Sequence, residues 1–362
     1  MTPHQPCSTR RRFLVSSIAT GAAMGVPAIH AGSKTAPAFH GAVIGHGDRR
    51  YRVDKLWCQA DRDKHPVNDC HEMVQAADGR LFLVTNHRKN NILVFGSDGY
   101  VIDSWTLSSS SGHGLTIAAG SDSVEHLYVT CNDGKVVKTT LDGEVLLTLP
   151  TAQSCRAYKN SQSYTPTETA VDRDGNIYVA DGYGSQFILK FNAEGQYESK
   201  FGGKSTRPIP RGKFLQAHGV AVDNRGDEPL LVCTERVRNE FNWFTMEGEH
   251  VKSVYLPGAY VSRPVIHGDL LYSGVCFGGK PSDHRMYTGR GFVTILDREN
   301  QVISNPGGTR PQYDDEGRLT MMLQDAAVFE NCHDVCVDAE ENLYVCQWNS
   351  NHVYTYKLHR EA

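Results

Sequence analysis

Three histidines recur at matching places in the sequence and could together bind a metal ion. His113 lies in GHGLTIA (112–118), His218 in AHGVAVD (217–223) and His333 in CHDVCVD (332–338). Each histidine begins a run of largely apolar residues that is typical of a buried β-strand. If the three strands belong to equivalent repeats around one axis, the imidazoles converge on that axis. Three histidines with an open coordination position form the ligand set of a catalytic zinc site.

The strands that must position these histidines belong to a repeat of about forty to fifty residues. Repeat units start at 70, 112, 166, 217 and 332, and a degenerate unit spans 263–303. Each unit has the pattern of a four-stranded meander with turns such as DRDG, AADG and NAEG. Because such a sheet cannot bury both faces alone, neighbouring units must stack, and a closed ring removes the open ends. The sequence therefore predicts an all-β fold, a six-bladed β-propeller.

The first strand of each propeller blade lines the central channel, so one repeat position forms a ring around the axis. In blade order, the residues at this position are His71, His113, Thr167, His218, Arg263 and His333. Blades two, four and six supply the histidine trio, and we interpret His71 as a solvated channel residue, with a role beside the metal or substrate as the alternative. For any single histidine, a wet channel mouth that tolerates imidazole is also a sufficient explanation. The segment 50–59 is expected to add the outer strand of the last blade and close the ring.

A second repeat position lies at the end of the second strand of a blade. Aligning VTNHRKNNILVF, VADGYGSQFILKF and VCTERVRNEFNWF places Arg88, Tyr183 and Arg236 at one structural place in blades one, three and four. Guanidinium groups bind carboxylates in a bidentate manner, and a tyrosine whose pKa is lowered by cations can transfer a proton. Arginines on surface loops are common, so each residue taken alone could also be an ordinary loop residue. Together they indicate a small anionic or peptide-like substrate.

Several stretches resemble a known family, the peptidyl-α-hydroxyglycine α-amidating lyases (peptidylamidoglycolate lyases), within the wider group of NHL-repeat propellers. The resemblance runs from about 69 to 358, and its most specific pieces are HGL (113–115), PTETAVDRDGNIYVADGYG (166–184), PRGKFLQAHGVAVD (210–223), GGKP (278–281) before GFV (291–293), and HDV (333–335). It implies a carbon–nitrogen lyase that cleaves an N-acyl α-hydroxyglycine-type carbinolamide to an amide and glyoxylate.

The resemblance also implies which residues form the site. The zinc ligands of the family correspond to His113, His218 and His333. Its active-site arginines and tyrosine correspond to Arg88, Arg236 and Tyr183. Its structural calcium corresponds to a site made by the carboxylate of Asp334 and the backbone carbonyls of Leu115 and Met73, a hard-ion ligand set.

The chain departs from the family pattern at several places. Asn331 and Cys332 replace a methionine and a proline before His333, and Gly184 follows Tyr183 where the family has a half-cystine. No counterpart of the copper monooxygenase domain that often accompanies the lyase is recognised, so a separate oxygenase is an expected source of the hydroxylated substrate. These departures leave the natural acyl group of the substrate open.

The N-terminal segment and the composition indicate export. TRRRFL (9–14) followed by a small-residue apolar run resembles a twin-arginine signal peptide (1–31), with a flexible lead-in (32–48) before the propeller (49–362). The alternative, a membrane anchor, is weaker because the run is short and rich in Gly and Ala, so no stable membrane span is expected after cleavage. A periplasmic or secreted location follows.

Charge and cysteine usage exclude some classes of protein. The formal net charge is −4, it becomes more negative when the arginines of the leader are removed, and no Lys/Arg-rich patch remains for a nucleic-acid backbone. Beyond Cys7 the chain has an odd number of cysteines without CxxC pairs, which argues against a complete disulfide framework or a zinc ribbon. Nucleic acid is therefore not an expected partner.

Two other functions remain as alternatives. The first is a non-catalytic exported NHL propeller that binds a protein or small ligand, in which the histidine trio is incidental. The second, ranked third overall, is a calcium-dependent lactonase-type propeller hydrolase. That chemistry normally needs Glu, Asn and Asp around the axis, whereas this axis is mostly imidazole.

Overall fold

The computed structural model describes residues 36–120, 123–205 and 210–362. The twin-arginine leader (1–31) expected from the sequence lies outside the described residues. Within them the secondary structure is almost entirely β, with one short 3₁₀ helix at Arg236–Arg238. No helix in these ranges is long and apolar enough to cross a membrane.

Six antiparallel sheets form the blades of a β-propeller, as the repeat predicts. The chain begins with β1 (Val43–His46) and β2 (Arg49–Asp54). Blade one comprises β3 (Cys70–Gln75), β4 (Leu81–His87), β5 (Asn90–Phe95) and β6 (Val101–Trp105). Blade two comprises β7 (Gly112–Ala119), β8 (Glu125–Cys131), β9 (Lys135–Thr139) and β10 (Val145–Thr148). Blade three comprises β11 (Glu168–Val171), β12 (Ile177–Ala180), β13 (Phe187–Phe191) and β14 (Tyr197–Gly202).

The second half of the ring is less regular. Blade four comprises β15 (Ala217–Asp223), β16 (Leu230–Glu235), β17 (Glu240–Phe244) and β18 (His250–Tyr255). The degenerate unit of the sequence forms blade five, a six-stranded sheet of β19 (Ala259–Val261), β20 (Val265–His267), β21 (Leu270–Lys280), β22 (Asp283–Tyr287), β23 (Phe292–Leu296) and β24 (Val302–Ser304). Blade six comprises β25 (Cys332–Val337), β26 (Leu343–Gln347) and β27 (Tyr356–Arg360), followed by β2 and β1.

The ring closes through pairing between the first and the last strands. β2 runs antiparallel to β27, with Tyr51 opposite Arg360 and Asp54 opposite Lys357. The closing strand expected within 50–59 is therefore present, at Arg49–Asp54. Within the segment 32–48, which we expected to be a lead-in, Val43–His46 forms β1, because a turn with Gly47 at a φ of 55° reverses the chain and lets β1 pair with β2.

The hydrophobic core lies between neighbouring blades. One cluster joins Phe82 and Ile92 of blade one to Leu115 and Val129 of blade two. Another joins Phe95 of blade one to Tyr344 of blade six, and most members of both clusters are buried strand residues. Apolar burial of this kind stabilises the ring only when neighbouring sheets stack. The closed ring therefore fixes the inner strands, which carry the candidate site.

Candidate metal centre and active site

An irregularity of strand pairing presents the histidines to the channel. In blade two, Gly112 pairs with Cys131 and Gly114 pairs with Thr130, so His113 is an extra residue in the ladder. The register shifts in the same way between Cys70 and Glu72, and also between 332 and 334 and between 217 and 220. A β-bulge bends the strand and redirects its side chains. The inner strands of four blades therefore each contain a β-bulge at their histidine.

The three histidines expected to bind zinc come together at the channel axis. The ring centroids of His113, His218 and His333 are 4.8 to 5.0 Å apart, and each residue is 1% exposed. Imidazoles from blades two, four and six therefore meet at one place, as the repeat spacing predicts.

His71 of blade one belongs to the same cluster. Its ring centroid lies 4.7 Å from those of both His113 and His333, and it is only 5% exposed. The expectation of a solvated channel residue is wrong, because the neighbouring rings cover His71. Possible ligand atoms of His71, His113 and His333 lie within 4.8 Å of one another. The cluster thus contains two histidine triangles, one with His71 and one with His218, that share the pair His113 and His333. Among the described residues, the triangle with His71 is the one whose possible ligand atoms meet within this distance, whereas the triangle with His218 is defined by its ring centroids.

Backbone carbonyls fix the protonation pattern of the two shared imidazoles. Nδ1 of His113 lies 2.8 Å from the carbonyl oxygen of Thr167, and Nδ1 of His333 lies 3.1 Å from that of His71. Because a carbonyl only accepts hydrogen bonds, each Nδ1 carries the hydrogen and each Nε2 has a lone pair. Nε2 of His333 is buried and has no hydrogen-bond partner among the described residues. This orphaned lone pair fits a metal ligand.

The electrostatic environment keeps these imidazoles neutral. Burial lowers the pKa of His71 to about 3 and holds the pKa of His113, His218 and His333 well below the usual value. The charge of Arg236 lowers all four pKa values further. Neutral imidazole is the ligand form, and a set of three nitrogen donors suits zinc and similar transition ions. Three buried histidines could therefore hold a metal.

The hydroxyl of Tyr183 lies against this cluster. It is 3.2 Å from Nε2 of His113 and 3.1 Å from Nε2 of His218. The residue is 40% exposed, so its ring borders solvent while its hydroxyl faces the buried imidazoles. Burial raises the pKa of Tyr183, and the charge of Arg236 opposes the rise. The sequence suggested that cations lower this pKa, but in the protein alone desolvation of the phenol is the larger effect.

The two arginines at the equivalent repeat position differ. Arg236 begins the 3₁₀ helix after β16 and is 2% exposed; its Nε donates to the carbonyl of Val261 and its NH2 donates to Oγ of Ser262. Arg88 lies on the exposed turn between β4 and β5. Among the described residues, its guanidinium forms no hydrogen bond or ion pair with the histidines of the cluster. The structure therefore brings Tyr183 and Arg236 to the cluster and leaves Arg88 at the surface.

A buried aspartate shapes the turn that carries Tyr183. The carboxylate of Asp181 accepts hydrogen bonds from the backbone amides of Thr165 (2.6 Å) and Ser185 (2.5 Å) and from the hydroxyl of Tyr158 (2.8 Å). A Cβ at Gly184 would lie 2.0 Å from Oδ1 of Asp181. Glycine after the tyrosine is thus required by the close approach of this carboxylate, which organises the turn where the resembling family has a half-cystine.

A second layer of charged residues lies directly below the histidines. Glu72, Glu168 and Asp334 each follow a ring residue of the channel, and all three are at most 1% exposed. The guanidinium of Arg263 lies among them, 2.8 Å from Asp334, 3.4 Å from Glu72 and 3.9 Å from Glu168. Sequence reasoning missed the two glutamates; a Glu in an inner strand, as in CHEM and PTET, is the pattern that could have revealed them.

The residues expected to bind calcium surround the same guanidinium. Arg263 donates to both carboxylate oxygens of Asp334 and to the carbonyl oxygens of Leu115 and Met73. The carboxylate and the two carbonyls do lie together, but a cation of the protein already occupies their centre. The donor set therefore does not fit an additional calcium ion.

Comparisons with known proteins agree with the fold and with a distant relation to amidating enzymes. No protein-family model matches the chain. The chain is 25% identical over 215 residues to peptidyl-alpha-hydroxyglycine alpha-amidating lyase 1 of Drosophila melanogaster, which covers 54% of this chain and 35% of that protein. It is 32% identical over 92 residues to peptidyl-glycine alpha-amidating monooxygenase B of Xenopus laevis, which covers 25% of this chain and 10% of that protein. The chain thus spans about a third or less of the length of these curated relatives.

Solved structures with the same architecture include a streptogramin B lyase, with a TM-score of 0.55 and 12% identity over 88% of this chain and 98% of that chain. A gluconolactonase from Xanthomonas campestris has a TM-score of 0.55 and 12% identity over 88% of this chain and 94% of that chain. At such identity the likeness shows the fold alone. The chain is a six-bladed β-propeller that is distantly similar in sequence to amidating lyases and similar in fold to a streptogramin B lyase and a gluconolactonase.

Proposed function

We propose that the protein is a metal-dependent carbon–nitrogen lyase that cleaves an N-acyl α-hydroxyglycine-type carbinolamide to an amide and glyoxylate. The observation that carries this proposal is the contact of the Tyr183 hydroxyl with two imidazoles of a buried histidine cluster, beside the buried Arg236. A metal centre, a proton-transfer group and a carboxylate-binding group are the three parts that this reaction needs. The distant similarity to an amidating lyase supports the same choice of reaction.

We assign the metal to His113, His218 and His333, with zinc as the proposed ion. The Tyr183 hydroxyl touches Nε2 of two members of this triangle, so a substrate bound there faces the phenol. A zinc ion held by these residues supplies a Lewis acid that lowers the pKa of a substrate hydroxyl. His71 completes the neighbouring triangle and packs against two of the proposed ligands.

Tyr183 is the proposed proton-transfer group. In the reaction, the substrate hydroxyl loses a proton, the C–N bond breaks and the amide nitrogen gains a proton, so the two products together contain every atom of the substrate. One phenol can accept the first proton and donate the second. Because burial raises the pKa of Tyr183, the phenol is protonated in the protein alone. Positive charge at the site would let it release that proton to solvent, and the resulting phenolate would take the proton of the substrate hydroxyl and return it to the amide nitrogen.

Arg236 is the proposed partner of the substrate carboxylate. Its Nε and NH2 are anchored by Val261 and Ser262, which leaves NH1 as a donor for a bound anion. The guanidinium is buried, so an ion pair with the carboxylate is little screened by solvent. Arg88, exposed on a turn of blade one, has at most a role in attracting the anion.

The test is a joint measurement of metal content and glyoxylate release from α-hydroxyhippurate. We expect about one zinc per purified chain and loss of turnover in Tyr183→Phe, because the phenyl ring keeps the packing but cannot transfer a proton. Tyr255→Phe is the matched control, since Tyr255 is 54% exposed on an outer strand, and should retain full activity. Metal-free folded protein, or full activity of Tyr183→Phe, would overturn the proposal and favour a binding propeller.

We further propose that the chain is exported to the periplasm or secreted, and that a separate oxygenase provides its hydroxylated substrate. The support is the TRRRFL sequence at 9–14 and the chemistry of the proposed substrate, since hydroxylation at the glycine Cα must precede its cleavage. Replacing Arg10, Arg11 and Arg12 by lysine should retain the protein in the cytoplasm when cell fractions are compared. Unchanged export would exclude the twin-arginine route.

A further inference from the structure

We infer that Arg263 takes the place of a divalent cation in the propeller, holding the inner strands together directly below the histidine cluster. This inference concerns the scaffold and is independent of the proposed lyase activity. It rests on the contacts of one guanidinium with residues of four other blades.

Arg263 uses its hydrogen-bond donors in the way a cation uses its coordination positions. Nε lies 3.0 Å from Oδ1 of Asp334, and NH2 lies 2.8 Å from Oδ2 of Asp334 and 3.1 Å from the carbonyl oxygen of Met73. NH1 donates to the carbonyl oxygen of Leu115. A carboxylate and two carbonyls form the oxygen set that calcium prefers, and here all are turned toward a guanidinium.

The carboxyl groups of the surrounding layer favour a cation at this place. Glu72, Glu168 and Asp334 are buried and surround the guanidinium of Arg263. Without a cation, such neighbouring buried carboxylates would be strongly destabilising. The planar fork of arginine matches the bidentate geometry of Asp334, and it remains protonated in any buried setting.

The contacts also fix the strands that carry the imidazoles. Asp334 directly follows His333, and Met73 lies two residues after His71. The network is reinforced by backbone amides, since Oδ2 of Asp334 accepts from Met73 N at 3.0 Å and Oε2 of Glu72 accepts from Leu115 N at 2.7 Å. Arg263 is therefore a positioning residue for three strands that carry histidines. Its contacts are with the backbone and carboxylates of these strands and not with the imidazoles.

The other end of the channel gives ions access to this residue. A cavity of about 300 Å³ opens below the charged layer and is lined by Arg263, Met73, Thr116, Val220 and Cys336 among others. If the guanidinium is removed, calcium can enter from this cavity and meet three carboxylates and two carbonyls. The inference thus predicts that a variant without Arg263 acquires a calcium response that the natural protein lacks.

The experiment compares melting temperatures of the full-length chain in calcium chloride and in EGTA. We expect no calcium effect on the natural protein, a reduced melting temperature for Arg263→Ala in EGTA, and recovery of several degrees for that variant in calcium. Arg225→Ala is the matched control, because Arg225 is equally buried and forms a bidentate pair with Asp223, at 2.9 and 2.8 Å, plus a bond to a carbonyl. It should lose stability without any recovery in calcium.

The inference is overturned if calcium stabilises the natural protein, or if Arg263→Ala responds to calcium no more than Arg225→Ala does. Should Arg263→Ala be insoluble in both solutions, calorimetric titration of calcium into the natural protein decides. Binding of one equivalent overturns the inference, and no binding supports it.

Discussion

The hydroxyl of Tyr183, on blade three, lies 3.1 Å from Nε2 of His218, on blade four. The two residues come from different sheets, so their contact depends on how the blades stack and not on either sheet alone. The same hydroxyl reaches His113 on blade two, and thus connects three consecutive blades at the channel mouth. Variants of the site can therefore test metal binding, substrate binding and the turn that carries Tyr183 one at a time.

The two histidine triangles can be distinguished by metal analysis of single variants. His113→Ala and His333→Ala should each remove bound metal, because these residues belong to both triangles. His218→Ala should also lose metal if the proposed ligand set is right, whereas His71→Ala should retain it. Mass-spectrometric metal content per folded chain is the measurement. Retention by His218→Ala together with loss by His71→Ala would place the ion in the other triangle.

The two arginines should differ in their kinetic effect. Arg236→Met should lower kcat/KM by about 10- to 100-fold, the loss expected for one charge-assisted hydrogen bond. Arg88→Met should change it by less than about threefold, because an exposed charge contributes little. Glyoxylate release over a range of substrate concentrations measures both. Equal losses in the two variants would show that the turn of Arg88 closes onto the substrate.

The turn of Tyr183 should tolerate no side chain at Gly184. Gly184→Ala places a Cβ 2.0 Å from the Asp181 carboxylate, so the turn must shift and the phenol must leave its histidine contacts. We expect turnover to fall at least tenfold. Gly226→Ala is the control, since its nearest neighbour would be 3.6 Å away. A fully active Gly184→Ala variant with an unchanged melting temperature would show that Asp181 does not support the site.

Glu235 should make folding stability fall as the pH rises toward neutrality. Burial raises its pKa to about 7, although the amides of Leu215 and Gln216 oppose this rise. The unfolded pKa is about 4.3, so between these values the folded state holds a proton that the unfolded state has lost. The contribution is complete below about pH 4 and declines by up to about 1.4 kcal/mol per pH unit as the pH rises to 7.

Glu235→Gln tests this assignment, because the amide cannot ionise. Its stability should be lower at acidic pH, where glutamine cannot reproduce both backbone contacts, and should vary less between pH 5 and 7 than that of the natural protein. Urea unfolding at several pH values measures the slope. Glu247→Gln, at an exposed position, is the control and should leave the slope unchanged. An unaltered slope in Glu235→Gln would refute the raised pKa.

The repeat in the sequence predicted the propeller fold. It also predicted that His113, His218 and His333 converge on the channel axis, because this convergence depends only on equivalent positions in the repeat. Arg88 and Arg236 occupy equivalent places in the sequence but different environments. Arg236 enters a 3₁₀ helix that turns the side chain inward, whereas Arg88 lies in a tight turn in which His87 pairs with Asn90. The spacing of the repeat does not determine which backbone conformation each arginine adopts.

Glu72 of the charged layer was missed for a different reason. In a regular strand successive side chains alternate between faces, so Glu72 after His71 should point away from the channel. The bulge at each histidine breaks this alternation and lets both residues face the axis. Bulges depend on pairing between strands, which hydrophobic periodicity alone does not reveal.

The pairing of β2 with β27 means that blade six, which carries part of the site, can form only after both ends of the propeller have been synthesised. Blade six carries His333, yet two of its five strands come from the N-terminal part of the chain. That blade is whole only after the last strand has left the ribosome and met the first. Metal loading at the cluster would therefore mark a fully synthesised molecule, and fragments that stop before β27 should remain metal-free.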